Sequence, residues 1–308
     1  MHRNQTKEEQ MNKVSKRCKE EKYAKFYYAS QKMSFEAKLI KLLAFVVSLV
    51  PIILSLITKV NSTVVFVATM FSFSLTLILE FTASFITNHK EKSILLGQCY
   101  QAGITGTTFA KVEYDREMTN ELSELAIRKS ATSMAGLKKY NEVAVPEDVE
   151  DKFGYLYLAR LNAAKTNYLM SRMYGFYIFA LIVIIVAFVS FAFIKNDSRE
   201  FLQLIIQFYP LVMPVIRNIS ASQKTKRKCA KISADIDNYF AAGDSSNEAR
   251  AKMTWYAQNL EFEALMASPA QYKIFIKLYS RGLRILEKGV ASRFIEAENS
   301  LIKKNKKK

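Results

Sequence analysis

Few side chains in this 308-residue chain are of the kinds that make and break bonds. The two histidines, His2 and His89, lie far apart, and neither has a partner at a spacing that builds a metal site or a nucleophile–base pair. Cys18, Cys99 and Cys229 are as dispersed and form neither a metal motif nor a disulfide framework. The stretch "GITGTT" at 103–108 has the glycines of a phosphate loop but lacks its lysine and its strand–loop–helix setting. Glu147, Asp148, Glu150 and Asp151 read as the solvated, acidic opening of a helix rather than as acid–base machinery. No catalytic residue, no metal site and no cofactor is expected, and the chain is not read as an enzyme.

Chemistry of another kind is concentrated in residues 200–218, "EFLQLIIQFYPLVMPVIRN". At 100° per residue, Gln203, Gln207, Pro210, Pro214 and Arg217 fall on one helical face. The opposite face carries Ile205, Phe208, Val212, Val215 and Ile216, all suited to lipid. Each proline frees the carbonyl four residues back, here Ile206 and Pro210, and in hydrocarbon that group needs a partner. An unpaired buried amide costs roughly 2–7 kcal/mol, so this stripe must avoid lipid. Two roles meet that requirement. The stripe can pack against another helix, where Gln bonds across the interface, or it can line water in an oligomer. A second stripe runs through Thr69, Ser72, Thr76 and Glu80, and a weaker one through Ser48, Pro51, Ser55 and Thr58. Pore-lining candidates are therefore Gln203, Gln207, Pro210, Pro214, Thr76 and Glu80. Glu80 sits near the end of its segment, where a carboxylate reaches the headgroup zone.

The elements that hold these stripes are long apolar runs. Charges bracket 17 uncharged residues at 42–58, 20 at 60–79, 22 at 173–194 and 16 at 201–216. A bilayer core needs about 20 apolar residues as helix. The first three meet it once Leu39 and Ile40 are counted, and the fourth does so marginally. Of the 45 Lys and Arg, 42 lie before the first run, between the second and third, or after the fourth. Cations stay on the cytoplasmic side, so both termini and the middle segment are expected in the cytoplasm. The first 34 residues are polar and do not read as a secretory leader. The expected fold is an all-α membrane protein with four transmembrane helices as two hairpins and cytoplasmic helical regions. Its parts are a cytoplasmic amphipathic helix at 1–38, a transmembrane hairpin at 39–86, a mostly helical cytoplasmic insertion at 87–172, a second hairpin at 173–219, and a helical tail with a basic end at 220–308.

Within these parts, the aromatics Tyr23, Phe26, Tyr27 and Tyr28 suit either a membrane-interface belt or packing on the cytoplasmic domain. The Gly-bounded, β-branched stretch 97–115 is expected to be loop or short strand. Helices are expected over 116–139, from about 152 straight into the third run, over 220–240, over 248–267 and from about 269 to 302. The net charge of +17 is accounted for by membrane topology and headgroup contact, so nucleic acid is not an expected partner. Lys224, Lys226, Arg227 and Lys228, just past the fourth run, are candidates for a lipid headgroup or a phosphate-bearing ligand.

Three stretches carry a resemblance. "KFYYASQK" at 25–32, "ARLNAAKTNYLMSRMY" at 159–174, with Arg160, Asn162, Leu169 and Arg172, and "AQNLEFEALMASPAQY" at 257–272 are similar to segments of the SMODS-associated four-transmembrane effectors of bacterial anti-phage defence. In the last stretch Asn259 and Phe262 replace an Asp and a Tyr, and Leu265 stands where an Arg is expected. The resemblance implies a pore-forming effector of the inner membrane, acting in abortive infection. It would be a homo-oligomer, and its activating signal a cyclic oligonucleotide made by a partner nucleotidyltransferase. The alternatives are a non-conducting membrane scaffold and a transporter subunit, the latter disfavoured by four spans with Glu80 the sole acid near the membrane.

Overall fold

The computed structural model describes residues 17, 20–56, 62–81, 83–107, 116–130, 145–146, 148–194, 198–244, 246–269 and 273–306. All regular structure among them is helical. Helix α1 is Glu21–Leu56, α2 Ser62–Phe81, α3 Ala83–Thr105 and α4 Arg116–Ser130. A 3-10 turn at Asp151–Phe153 leads into α5, Gly154–Ile194, which is followed by α6, Ser198–Ala242. The chain ends with α7, Asn247–Ala267, α8, Lys273–Leu278, and α9, Ser280–Lys306. Among the described residues, α5 and α6 each contain a stretch long and apolar enough to cross a bilayer.

Those two helices are 41 and 45 residues long, about 60–70 Å at 1.5 Å per residue, twice what a hydrocarbon core requires. Each therefore runs on as a strut into a polar-ended bundle. Their mutual packing is the most extensive among the described helices. The far half of α5 presents Phe179, Ile182, Val183, Val186 and Phe193 outward, as a lipid-facing helix must. In the other half, Phe153 to Leu161 is buried on every side, because α3, α6, α7 and α9 all pack around it. The bundle core joins Phe153, Tyr155, Tyr157, Phe240 and Phe294 by edge-on ring contacts and burial. A smaller core of Ala29, Met33, Leu95, Leu96, Leu122 and Leu125 binds α1, α3 and α4 together.

Several boundaries differ from the sequence expectation. The stretch expected as loop or strand from residue 97 stays helical to Thr105. Its glycines serve helix packing, since a Cβ on Gly103 would lie 2.4 Å from the Tyr23 ring of α1. The helix stops at Gly106, whose φ of +68° favours glycine, and Thr107 N–H closes the end on Ala102 O at 3.0 Å. Residues 108–115 and 131–144 lie outside the described residues. The helix expected at 220–240 is the continuation of the fourth apolar run, unbroken through Pro210 and Pro214. The tail expected as one helix from Pro269 divides into α8 and α9. Tyr23, Phe26 and Tyr27 pack on the bundle core, with Tyr27 against Tyr100 at 5.2 Å, so packing is what these aromatics do.

Candidate functional site: one long helix between a span and a buried polar hub

Helix α6 buries Leu204, Phe208, Leu211, Val215, Ser222, Thr225, Cys229, Ile232 and Ile236, with Asn218 half-buried between them. The spacing alternates four and three, a seven-residue repeat that keeps one seam against a neighbouring helix. The seam crosses from the apolar run into the polar half without a change of phase. The lipid-facing expectation is thereby corrected for two residues. Phe208 packs between Phe188 and Phe191 of α5, with ring centroids at 5.5 and 6.2 Å, and Val215 lies among Met170, Met173 and Tyr177. Ile205 and Ile216 remain exposed, and Val212 is half-buried.

Of the candidate stripe, Gln207 is buried, and its amide nitrogen donates to Thr69 Oγ1 of α2 at 3.3 Å. Thr69 in turn donates to Val65 O at 2.7 Å. A polar group in this setting needs such a partner, and the pair joins α6 to α2. Pro214 is half-buried. The side chains of Gln203, Pro210, Thr76 and Glu80 lie outside what the structure describes.

The cationic candidates stand apart from this contact, since the 17 residues from Gln207 to Lys224 span about 25 Å of helix. Gln223 donates to the Tyr174 hydroxyl at 2.9 Å, which sets Lys224, Lys226 and Arg227 level with the start of the apolar run of α5. These three are exposed. Lys228 is held by Glu263 of α7 at 2.8 Å. A second basic place opens between α1, α3 and α4, a cavity of about 330 Å³ lined by Phe85, Asn88, His89, Lys92, Arg128 and Lys129. Of its lining residues, Lys129 pairs with Glu36 of α1 at 2.9 Å and His89 lies 3.8 Å from the same carboxylate.

Away from the apolar halves of α5 and α6, α7 turns Thr254, Ala257, Gln258, Glu261 and Ala264 inward. The small Ala257 and Ala264 let it approach α6, where Thr225 donates to Ala264 O at 3.3 Å. Glu261 is 5% exposed. It accepts from Tyr155 Oη at 3.2 Å and Asn162 Nδ2 at 3.3 Å, both on α5. Burial pushes its carboxyl up to about 7, although Asn162, Tyr155 and Gln101 all donate to it and pull the other way. Burial first, and the nearby carboxylate second, raise the Tyr155 phenol well above its ordinary range and the Cys229 thiol to about 12. That thiol is inert at neutral pH. Gln98 of α3 donates to Gln258 O at 2.8 Å, and Arg160 of α5 pairs with Asp237 of α6 at 2.7 Å. Three helices thus converge with α6 on a buried polar hub.

This hub brings together two of the stretches that carry the sequence resemblance, through Asn162 and Glu261. Sequence reasoning did not single out Glu261, Tyr155, Gln101 or Asp237. The available signal was a carboxylate on the same face as Ala257 and Ala264, at spacings of four and three. Asn259 bonds its own helix at Trp255 O, and Phe262 packs on the smaller core. Arg172 lies over the Tyr168 and Tyr279 rings.

No curated protein and no solved structure matches the chain. The family model of the SMODS-associating 4TM effector domain does, over residues 12–281. With most of its length covered, including the hub and every candidate residue of α2 and α6, the chain belongs to the SMODS-associating 4TM effector domain family.

Proposed function

We propose that this protein is a four-span effector of the bacterial inner membrane, with both termini and the polar bundle in the cytoplasm. A cyclic oligonucleotide from a partner nucleotidyltransferase would bind the polar bundle, and a homo-oligomer would then open a leak that halts the infected cell. Four helices of one chain enclose too little space for a conduit, so assembly is part of the reading. One observation carries it: α6 is a single continuous helix from Gln207 to the hub, so a change where α5, α6 and α7 meet has a direct path to the membrane, with Pro210 and Pro214 as the points where that helix can bend. Ligand binding would shift a population between closed and open packings of that element.

A non-conducting scaffold is the second reading. It is favoured by the contact between Gln207 and Thr69, in which one amide of the polar stripe finds its partner within one chain. Leakage of dye and ions from liposomes holding the purified protein separates the two, measured with and without a panel of cyclic oligonucleotides. Ligand-dependent leakage supports the effector, provided that Gln203→Leu with Gln207→Leu abolishes it in protein that still inserts. A tight liposome under every ligand leaves the scaffold. In the same assay, Arg128→Glu and Lys224→Glu report whether the signal lands in the cavity beside α4 or at the collar of α6.

A further inference from the structure

We infer that the chain returns to the membrane after α7, with α8 and the first turns of α9 forming a basic, apolar-tipped foot in the anionic headgroup layer beside α5. The inference rests on α5 crossing the bilayer and not on pore formation. Helix α8 stands where the apolar run of α5 begins. The Phe275 ring is 5.3 Å from Phe176 and the Tyr279 ring 6.3 Å from Tyr168. Phe275, Tyr279 and Leu283 pack on Leu169, Met170, Met173 and Tyr177. From there α9 descends antiparallel to α5, with Glu287 on Lys165 at 3.3 Å, Val290 O facing Arg160, and Phe294 against Tyr157 at 5.3 Å. Residues 276–278 are therefore level with 172–174, the boundary of the uncharged segment.

At that boundary the surface is apolar and open. Leu278 is 69% exposed and Ile276 42%, beside Phe176 at 49%. Phe176 begins the row of Phe179, Val183 and Val186 that faces outward along α5, so the foot extends an existing lipid-facing surface. Ile285 is exposed two turns farther down. Tyr279 N–H on Phe275 O and Leu283 N–H on Tyr279 O, each at 3.0 Å, carry the helical turn across the junction of α8 and α9. Lys277 of α8 and Arg281, Arg284 and Lys288 of α9 are all exposed, and they therefore fall at i, i+4, i+7 and i+11 on a stripe adjacent to that of Leu278 and Ile285. The single acid within 275–288, Glu287, faces Lys165. An apolar tip at the boundary with cations just below it is the pattern of a segment that seats its aliphatic residues at the acyl edge while long basic side chains reach phosphates. The collar of Lys224, Lys226 and Arg227 meets the same headgroup level from α6. The occupant is therefore a bilayer rich in anionic lipid.

The chain's one tryptophan, Trp255, makes the test direct. In the full-length Trp255→Phe protein, Leu278→Trp is reconstituted into nanodiscs of phosphatidylcholine with or without phosphatidylglycerol, and quenching by lipids brominated near the headgroup end of the chains is read. Phe179→Trp reports separately whether α5 is in the bilayer. The expected result is blue-shifted emission at 278, with quenching about twofold stronger than for Ile285→Trp, which lies ~10 Å farther from the boundary. Phosphatidylglycerol should strengthen it, and Lys277→Gln with Arg281→Gln and Arg284→Gln should return it to the phosphatidylcholine value. Where Leu278→Trp does not fold, Ile276→Trp reports from the same level. Water-like, unquenched emission beside a quenched Phe179→Trp overturns the inference. Blue-shifted but unquenched emission does so too, since protein rather than lipid would then cover the foot, as does a triple variant with an unchanged lipid response.

Discussion

A carboxyl group enclosed by a phenol and two amides keeps its proton up to neutral pH. Glu261 ionises near its ordinary value of 4.5 in the unfolded chain but at about 7 in the fold, because burial penalises its charge. Between those values the folded state binds more protons than the unfolded one, so stability falls as pH rises through that window and levels off above it. The full shift corresponds to about 3 kcal/mol. Glu298 is also raised to about 7, mainly by burial, despite the backbone N–H donated by Glu150. Thermal unfolding of detergent-solubilised protein is therefore expected to give a higher midpoint at pH 5 than at pH 8. Glu261→Gln should remove much of that difference and leave the part due to Glu298. A Glu261→Gln protein with the wild-type pH dependence would show that this carboxyl is ionised in the fold. Among ion pairs, context decides the cost. Asp237→Ala leaves the buried Arg160 guanidinium without its carboxylate and should cost about 1–2 kcal/mol, since Asp237 is itself half in water. Lys252→Ala breaks a fully exposed pair with Glu248 and should cost within ~0.5 kcal/mol.

At the scale of the helix, α6 separates what sequence can tell from what it cannot. Its polar stripe follows from angle arithmetic alone, and the structure gives Gln207 the partner that such a stripe requires. The side opposite was assigned to lipid for an equally sound reason, yet Phe208 and Val215 are buried. A lipid tail and a neighbouring helix accept the same side chains, so hydrophobicity does not distinguish them and only the seven-residue repeat does. The passage of α5 into its apolar run was legible because no proline, glycine cluster or turn signal interrupts 155–174. The hub was not, because the burial of Glu261 is decided by α5 and α3, far away in sequence. What α7 required locally was small residues on one face. Ala264 is 1% exposed at the crossing with α6, so Ala264→Leu should overpack that crossing and cost about 1–3 kcal/mol. The exposed Ala251, on the same helix, should accept leucine within ~0.5 kcal/mol. Equal midpoints for the two variants would mean that α7 has room to shift, and that the close approach through Thr225 is not what holds it.

At the scale of the whole molecule, the question is whether the two apolar halves must part for the effector to act. In the chain as folded, α2 and α6 meet through Thr69 and Gln207, and Phe73 lies 6.3 Å from Tyr209 one turn away. The Gln207 side chain is buried there, with one of its N–H groups on Thr69. If conduction uses the stripe, then α6 must turn or separate from α2, and the energy for this has to come from the hub or from contacts between copies. A reversible tether tests that requirement. With Cys18, Cys99 and Cys229 replaced by serine, Phe73→Cys and Tyr209→Cys, which face each other across the same contact and leave Thr69 and Gln207 intact, are bridged by a bis-thiosulfonate reagent in reconstituted protein. Bridging should abolish ligand-dependent leakage and reductant should restore it, while each single cysteine treated in the same way stays active. Undiminished leakage from fully bridged protein would show that α2 and α6 remain together when the membrane is breached. The conducting surface would then have to form between copies from faces other than the Gln207 stripe, and Gln207 would be left as the bond that holds the two halves of one subunit together.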